Sequence, residues 1–300
     1  MGKGIGHGKT ILFGEHFVVQ GAPAIAGGIG NAAIVEVKEA PINKIVTDLT
    51  VVEEMSLAGI QAVLDSLKIK QKYEVKLTGD LPTYGGLGSS AAFCVGLVRA
   101  FADEKKLKLT DEQVNRHAYD GEMAFHGNPS GIDNTMATYR GVVEYIRGKT
   151  MAQSKFEFIK LGKPLDIVIA FSGKYSETAK MIARVQKFKD DDRDEFSQLM
   201  DEYQDLEMEA RDAIEKGDLE KIGTLMNVNQ ILLSEVGVSD EKNDEINSIA
   251  LGEGALGAKV TGGGGGGCCI ALAKDEKHSQ KIATALNDQK FEAFSTRIIK

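Results

Sequence analysis

LPTYGGLGSSAA, residues 81–92, is the stretch that decides what kind of chain this is. Three glycines in four positions, Gly85, Gly86 and Gly88, run directly into Ser89-Ser90. Cys94, Leu97, Val98 and Phe101 follow at i, i+3, i+4 and i+7, one apolar face of a helix packed on a core. Glycines let the backbone turn its N–H groups inward, and the start of a helix adds the positive end of its dipole, so the stretch reads as an anion-binding loop. Ser89 and Ser90 stand where a hydroxyl caps the helix or reaches a metal. A lone Gly-Ser-Ser would be an ordinary turn with a serine cap; three glycines ahead of an apolar helix favour phosphate.

A second glycine-rich run, GKGIGHGKT at 2–10, imitates a P-loop and fails on spacing. Counting back from Gly8-Lys9-Thr10, the position that must be glycine is Lys3. A dinucleotide fingerprint starting at Gly2 would need glycine at His7. Thr10 is also followed by Ile11-Leu12-Phe13-Gly14 and Phe17-Val18-Val19, short β-favouring runs, whereas a P-loop opens a helix. Any phosphate must therefore be held elsewhere, and the 85–90 loop is the place.

With 300 residues, 42% apolar, and a mean hydropathy of −0.17, the chain has the composition of a soluble globular protein of one large or two medium domains. Lysine and arginine number 36 against 44 acidic residues, a net charge of −8 with pI near 5.3. That balance argues against nucleic acid or an anionic membrane as a partner, and leaves an anionic substrate to be held by local features. Cys94, Cys268 and Cys269 are odd in number and lack metal-type spacing, which predicts reduced thiols and a cytoplasmic protein. Cys268 and Cys269 read as buried strand residues rather than a redox pair. The N-terminus has no apolar signal core, and no run is long enough to span a membrane.

The spacing predicts strands over 9–20, 31–38 and 73–78, with a helix carrying Leu57, Ile60, Leu64 and Leu67. Thr110-Asp111-Glu112-Gln113 is a capping box for a helix over about 111–125. Gly127-Asn128-Pro129-Ser130 breaks that helix and starts another, with Pro129 or Ser130 in its first turn. Leu165 to Phe171 reads as a buried strand, 176–252 as almost wholly helical, and 258–273 as strand, glycine run and strand. A helix and a strand at 291–298 close the chain. The expected class is α+β in both halves, with domains 1–160 and 161–300.

Three further segments are candidates for chemistry. Lys259-Val260-Thr261 runs into six glycines, 262–267, and then Cys268-Cys269-Ile270. Linkers are flanked by polar sequence, whereas this run joins two apolar strands, so it reads as a tight loop closing a site. Glu122 and Asp133 are the carboxylates near the Gly127–Ser130 break; on spacing alone a favourable helix dipole explains Asp133 as well as chemistry does, and Glu122 by itself reads more readily as a solvated face residue. Lys9 and Gly14-Glu15-His16 put charge inside an apolar segment, which demands a partner or a function. A satisfied Glu–His pair and a substrate contact both fit.

Taken together, Lys9–Gly21, Gly85–Ala92, Gly127–Asn134 and Lys259–Cys268 resemble the GHMP kinase superfamily, in family order across nearly the whole chain. The likeness is to the branch that phosphorylates mevalonate, although His7 stands where the family usually has proline. The resemblance implies a two-domain GHMP fold, with an N-terminal ribosomal-protein-S5-like α/β domain and a C-terminal ferredoxin-like α+β domain. It also implies ATP and Mg2+ as cofactors and mevalonate as the phosphoryl acceptor. Gly85, Gly86, Leu87, Gly88, Ser89 and Ser90 would hold the ATP phosphates, with Ser90 and Glu122 on the metal. Asp133 would be the base and Lys9 its charge partner. Glu15 and His16, with Thr178 a further candidate in Ser176-Glu177-Thr178, would orient the acceptor. Phosphomevalonate, homoserine and galactose kinases are the related alternatives, but the Thr-Asp that extends the Gly-Glu-His motif in galactokinases is replaced here by Phe17-Val18. A non-catalytic member used for binding is the alternative of another class; it would be free to lose base, metal and loop residues, and all are present. A homodimer is left open.

Overall fold

The computed structural model describes residues 1–83, 85–127, 129–149, 153–175 and 178–299. Tyr84, Asn128, Ser176 and Glu177, which occur in the motifs above, lie outside the described residues. The chain forms two compact units. One takes in residues 1–9, 28–83 and 87–140; the other takes in 10–27, Gly85 and Gly86, and 141 onwards.

In the first unit, strand β2 (Ala24–Ala40) pairs antiparallel with β4 (Lys72–Gly79), from Ala33 opposite Gly79 to Ala40 opposite Lys72, and the short β3 (Lys44–Thr47) pairs parallel with β4. Tyr73, Val75 and Leu77 alternate inward as their spacing predicts, and Tyr73 meets Phe101 edge-on at 4.9 Å. Helices α1 (Glu53–Ser66), α2 (Ser89–Lys105), α3 (Asp111–His126) and α4 (Ile132–Tyr139) supply the rest of this core. The first residues of β1 (Gly2–Phe13) lie under α2, and this explains the alternating N-terminal glycines. A Cβ on Gly2, Gly4 or Gly6 would come within 2.1 Å of the carbonyl oxygens of Ala100, Gly96 and Ala92 respectively. The run that imitates a P-loop is thus a strand stripped of side chains so that a helix can lie against it.

In the second unit, β10 (Glu292–Ile298), β7 (Leu165–Phe171), β9 (Cys268–Leu272) and β8 (Gly257–Thr261) form an antiparallel sheet in that order. Every residue of β7, β8 and β9 is buried. Residues 24–27 of β2 pair with β5 (Val142–Ile146), which pairs with β6 (Lys155–Ile159). Helices α5 (Thr178–Asp191), α6 (Arg193–Lys216), α7 (Leu219–Glu235), α8 (Glu241–Gly252) and α9 (Glu276–Asp288) complete it. Asp192, Asp218, Asp240 and Asp275 cap α6, α7, α8 and α9, each accepting a backbone N–H from the first turn.

Three local expectations change. The strand predicted over 9–20 ends at Phe13, and Phe17–Gln20 is a single 3-10 turn. Gly14, His16 and Gly21 all have positive φ (104°, 64° and 101°), which strand pairing does not tolerate. The helix after the Gly127 break starts at Ile132, with Gly131 at φ 86° as its cap, so Pro129 and Ser130 precede it. Gly88, at φ 72°, occupies the cap position of α2, which makes Ser89 and Ser90 its first two helical residues and leaves their hydroxyls free of capping duty. The capping box at Thr110 and Gln113 is present in full.

Candidate active site

The first unit assembles a charged cluster beside the start of α2. Lys9, buried near the middle of β1, donates its backbone N–H to the Leu87 carbonyl at 2.9 Å. Its Nζ lies 3.0 Å from Oδ1 of Asp133, the second residue of α4. Gly88 lies against this pair: a Cβ there would sit 3.1 Å from Lys9 Cγ and 3.5 Å from Asp133 Oδ1. The glycine therefore lets the loop backbone come up to the carboxylate. Gly85, Gly86 and Gly88 have φ of 75°, 73° and 72°, the left-handed backbone that turns N–H groups out of a regular ladder.

Glu122, on α3, is only 1% exposed. Its Oε1 is 4.0 Å from Cys94 Sγ and its Oε2 has no hydrogen-bond partner. Burial, and then the charge of Asp133, push its carboxyl up to about 8, against a hydrogen bond with Ser90 and the pull of Lys9. A buried carboxylate oxygen without a partner, beside a serine hydroxyl, is a donor set for a hard divalent cation. Among the described residues no three His, Cys, Asp or Glu side chains form a metal cage. Two oxygen donors suit a cation that keeps waters and takes phosphate oxygens. The structure thus brings together Lys9, Gly88, Ser90, Glu122 and Asp133. His126, with Nε2 3.1 Å from Ser90 Oγ, joins them without having been singled out. The signal in the sequence was its place four residues after Glu122 on the same helix face.

In the second unit Glu15 pairs with Lys259 rather than with His16. Both side chains are fully buried, and Lys259 Nζ also donates to the Val260 carbonyl at 2.7 Å. Burial pulls the Lys259 ammonium down from its ordinary range, and Glu15 opposes that. His16 Nε2 is 2.9 Å from the Gly263 carbonyl, and burial lowers its pKa. Thr261 accepts the Ile11 N–H at 3.1 Å and lies 3.0 Å from the Thr10 hydroxyl. The GEH segment and the strand ahead of it are thus fastened to β8 and to the glycine run that follows.

That run is an ordered loop. Gly265 donates to Val238 at 2.8 Å, Gly267 to Lys174 at 2.7 Å, and Gly266 exchanges two bonds with the Asn243 amide. A Cβ on Gly264 would lie 2.2 Å from the Val238 carbonyl oxygen. One on Gly85 would lie 2.2 Å from Cys268 Sγ, so the two glycine segments touch. Thr178 opens α5 with its side chain exposed.

Family models for the GHMP kinase N-terminal and C-terminal domains match residues 54–142 and 210–293. The chain belongs to the GHMP kinase family. Within that family its relatives include the mevalonate kinase of Pyrococcus furiosus, 33% identical over 93% of this chain and 90% of that protein. The crystal structure of L. major mevalonate kinase with R-mevalonate superimposes with a TM-score of 0.92 at 35% identity, covering 99% of this chain and 96% of that one. Methanococcus jannaschii mevalonate kinase gives 0.83 at 27% identity, covering 99% and 98%. The α+β GHMP fold expected from the sequence is the fold observed.

Proposed function

We propose that this chain transfers the γ-phosphoryl group of ATP to the primary hydroxyl of (R)-mevalonate, giving 5-phosphomevalonate and ADP. The observation that carries the reading is the Lys9–Asp133 pair, 3.0 Å apart, against the backbone of Gly88. It sets a carboxylate and a cation beside a glycine loop of the kind that binds phosphate. Backbone N–H groups of residues 85–90 hold the triphosphate. Asp133 takes the hydroxyl proton as the oxygen bonds to the γ-phosphorus and the bond to ADP breaks. Lys9 holds the Asp133 carboxylate in place and offsets negative charge on the transferred group, which is what a loose phosphoryl-transfer transition state requires. Ser90 and Glu122 are the residues that fit Mg2+; bound there, it would neutralise charge on the phosphate oxygens. We assign the acceptor to the GEH segment: His16 is held by Gly263, Glu15 acts through Lys259, and Thr178 is a further contact.

No described helix is long and apolar enough to cross a membrane, and three buried free thiols suit a cytoplasmic setting. The test is to incubate the protein with Mg-ATP and, separately, mevalonate, phosphomevalonate, galactose or homoserine, following ADP release and identifying the product by phosphorus NMR. ADP and 5-phosphomevalonate with mevalonate alone are expected; turnover of another acceptor in its place would refute the assignment.

A further inference from the structure

His126 is the side chain in the charged cluster that the mechanism leaves unused. It ends α3, four residues after Glu122, and its Nε2 lies 3.1 Å from Ser90 Oγ and 3.9 Å from Glu122 Oε2. A serine hydroxyl has one proton and two lone pairs. If a cation takes a lone pair of Ser90 Oγ, the proton must point away from it and needs an acceptor. Two acceptors are within reach. Glu122 is one, since its carboxyl lies close enough to Ser90 for the hydroxyl to favour its charged form. Yet the Glu122 carboxylate is what the cation needs, and its Oε2 is buried without a hydrogen-bond partner. The remaining acceptor is the imidazole.

We propose that His126 is a positioning residue for the divalent cation. By accepting the Ser90 hydroxyl proton at Nε2, it turns an Oγ lone pair towards the metal and releases the Glu122 carboxylate to ligate. His126 does not itself ligate: Nε2 is taken up by the serine, and a hard cation prefers the oxygens. Partners that orient a metal ligand in this way are worth about 10–100-fold in affinity. The inference rests on the proposed function only in supposing that a divalent cation accompanies the nucleotide.

The test uses Mn2+ as the probe, with free Mn2+ followed by electron paramagnetic resonance as it is titrated into protein plus ADP. His126→Ala is expected to weaken Mn2+ binding about tenfold or more. His126→Gln, whose side-chain carbonyl accepts the same proton, is expected to recover most of the loss. In a Ser90→Ala background the His126→Ala change is expected to do nothing further, because the hydroxyl it orients is gone. Undiminished Mn2+ affinity in His126→Ala would overturn the proposal, as would failure of glutamine to rescue or an equal loss with and without Ser90. Should His126→Ala not fold, His126→Phe, which keeps a ring but has no acceptor, and its Ser90→Ala double mutant decide between the same two outcomes. Mevalonate-dependent ADP release by the unaltered protein is a separate measurement, so its absence would refute the function and leave the Mn2+ result standing.

Discussion

Replacing Glu122 by glutamine in the metal-free protein should make it more stable, and increasingly so as the pH rises. The native carboxyl is pushed up to about 8 from an ordinary 4.5, chiefly by burial. A raised native pKa means that the folded state favours the protonated form. The stability it brings is complete below pH 4.5 and is lost as the pH climbs through about 8. The slope across that window is about 1.4 kcal/mol per pH unit, so the whole loss is roughly 4–5 kcal/mol. Glutamine is neutral throughout and carries no such penalty; every other group titrates in both proteins, so the difference isolates one carboxyl. Thermal unfolding in chelator from pH 5 to 9 should therefore show melting temperatures that nearly coincide at pH 5 and diverge to about 8–10 °C above pH 8, at roughly 2 °C per kcal/mol for a chain of this size. Saturating Mg2+ should remove most of the fall in the unaltered protein, since the cation supplies the countercharge. A difference in melting temperature that stays constant from pH 5 to 9 would refute the argument.

Asp133→Asn should lower kcat by about two to four orders of magnitude while ATP affinity, read by fluorescence titration, changes little. Lys259→Met removes the buried ammonium that faces the Glu15 carboxylate and should cost about 3–5 kcal/mol in urea unfolding, with Glu15→Gln added to it recovering part of the loss. Gly86→Ala meets nothing within 4 Å and should cost only about 1–2 kcal/mol for its backbone, whereas Gly85→Ala drives a Cβ to 2.2 Å from Cys268 Sγ and should also raise the KM for ATP several-fold. Equal effects of the two alanines on KM would show that the contact with Cys268 does not shape the loop.

Much of this was legible in the sequence because it is written locally. The glycine loop ahead of an apolar helix, the capping box at Thr110 and the buried run of β7 all follow from spacing and residue type. What escaped is what depends on residues far apart. Glu15 reads as half of a Glu–His pair until the fold brings up Lys259, 244 positions away. The alternation of Gly2, Gly4 and Gly6 has no meaning until α2 lies across it. Ser89 looks like a cap by composition, but Gly88 takes that position because only a left-handed residue makes the turn. Phe17-Val18-Val19 has strand propensity that the positive φ of its neighbours overrides.

The three cysteines, at 0%, 0% and 1% exposure, lie out of reach of solvent-borne reagents. Burial raises all three thiols, Cys269 to about 12, so almost no thiolate exists to react at neutral pH. The folded molecule should tolerate air without reductant, and a single cysteine introduced on its surface would accept a maleimide dye alone, with no native thiol needing to be removed first.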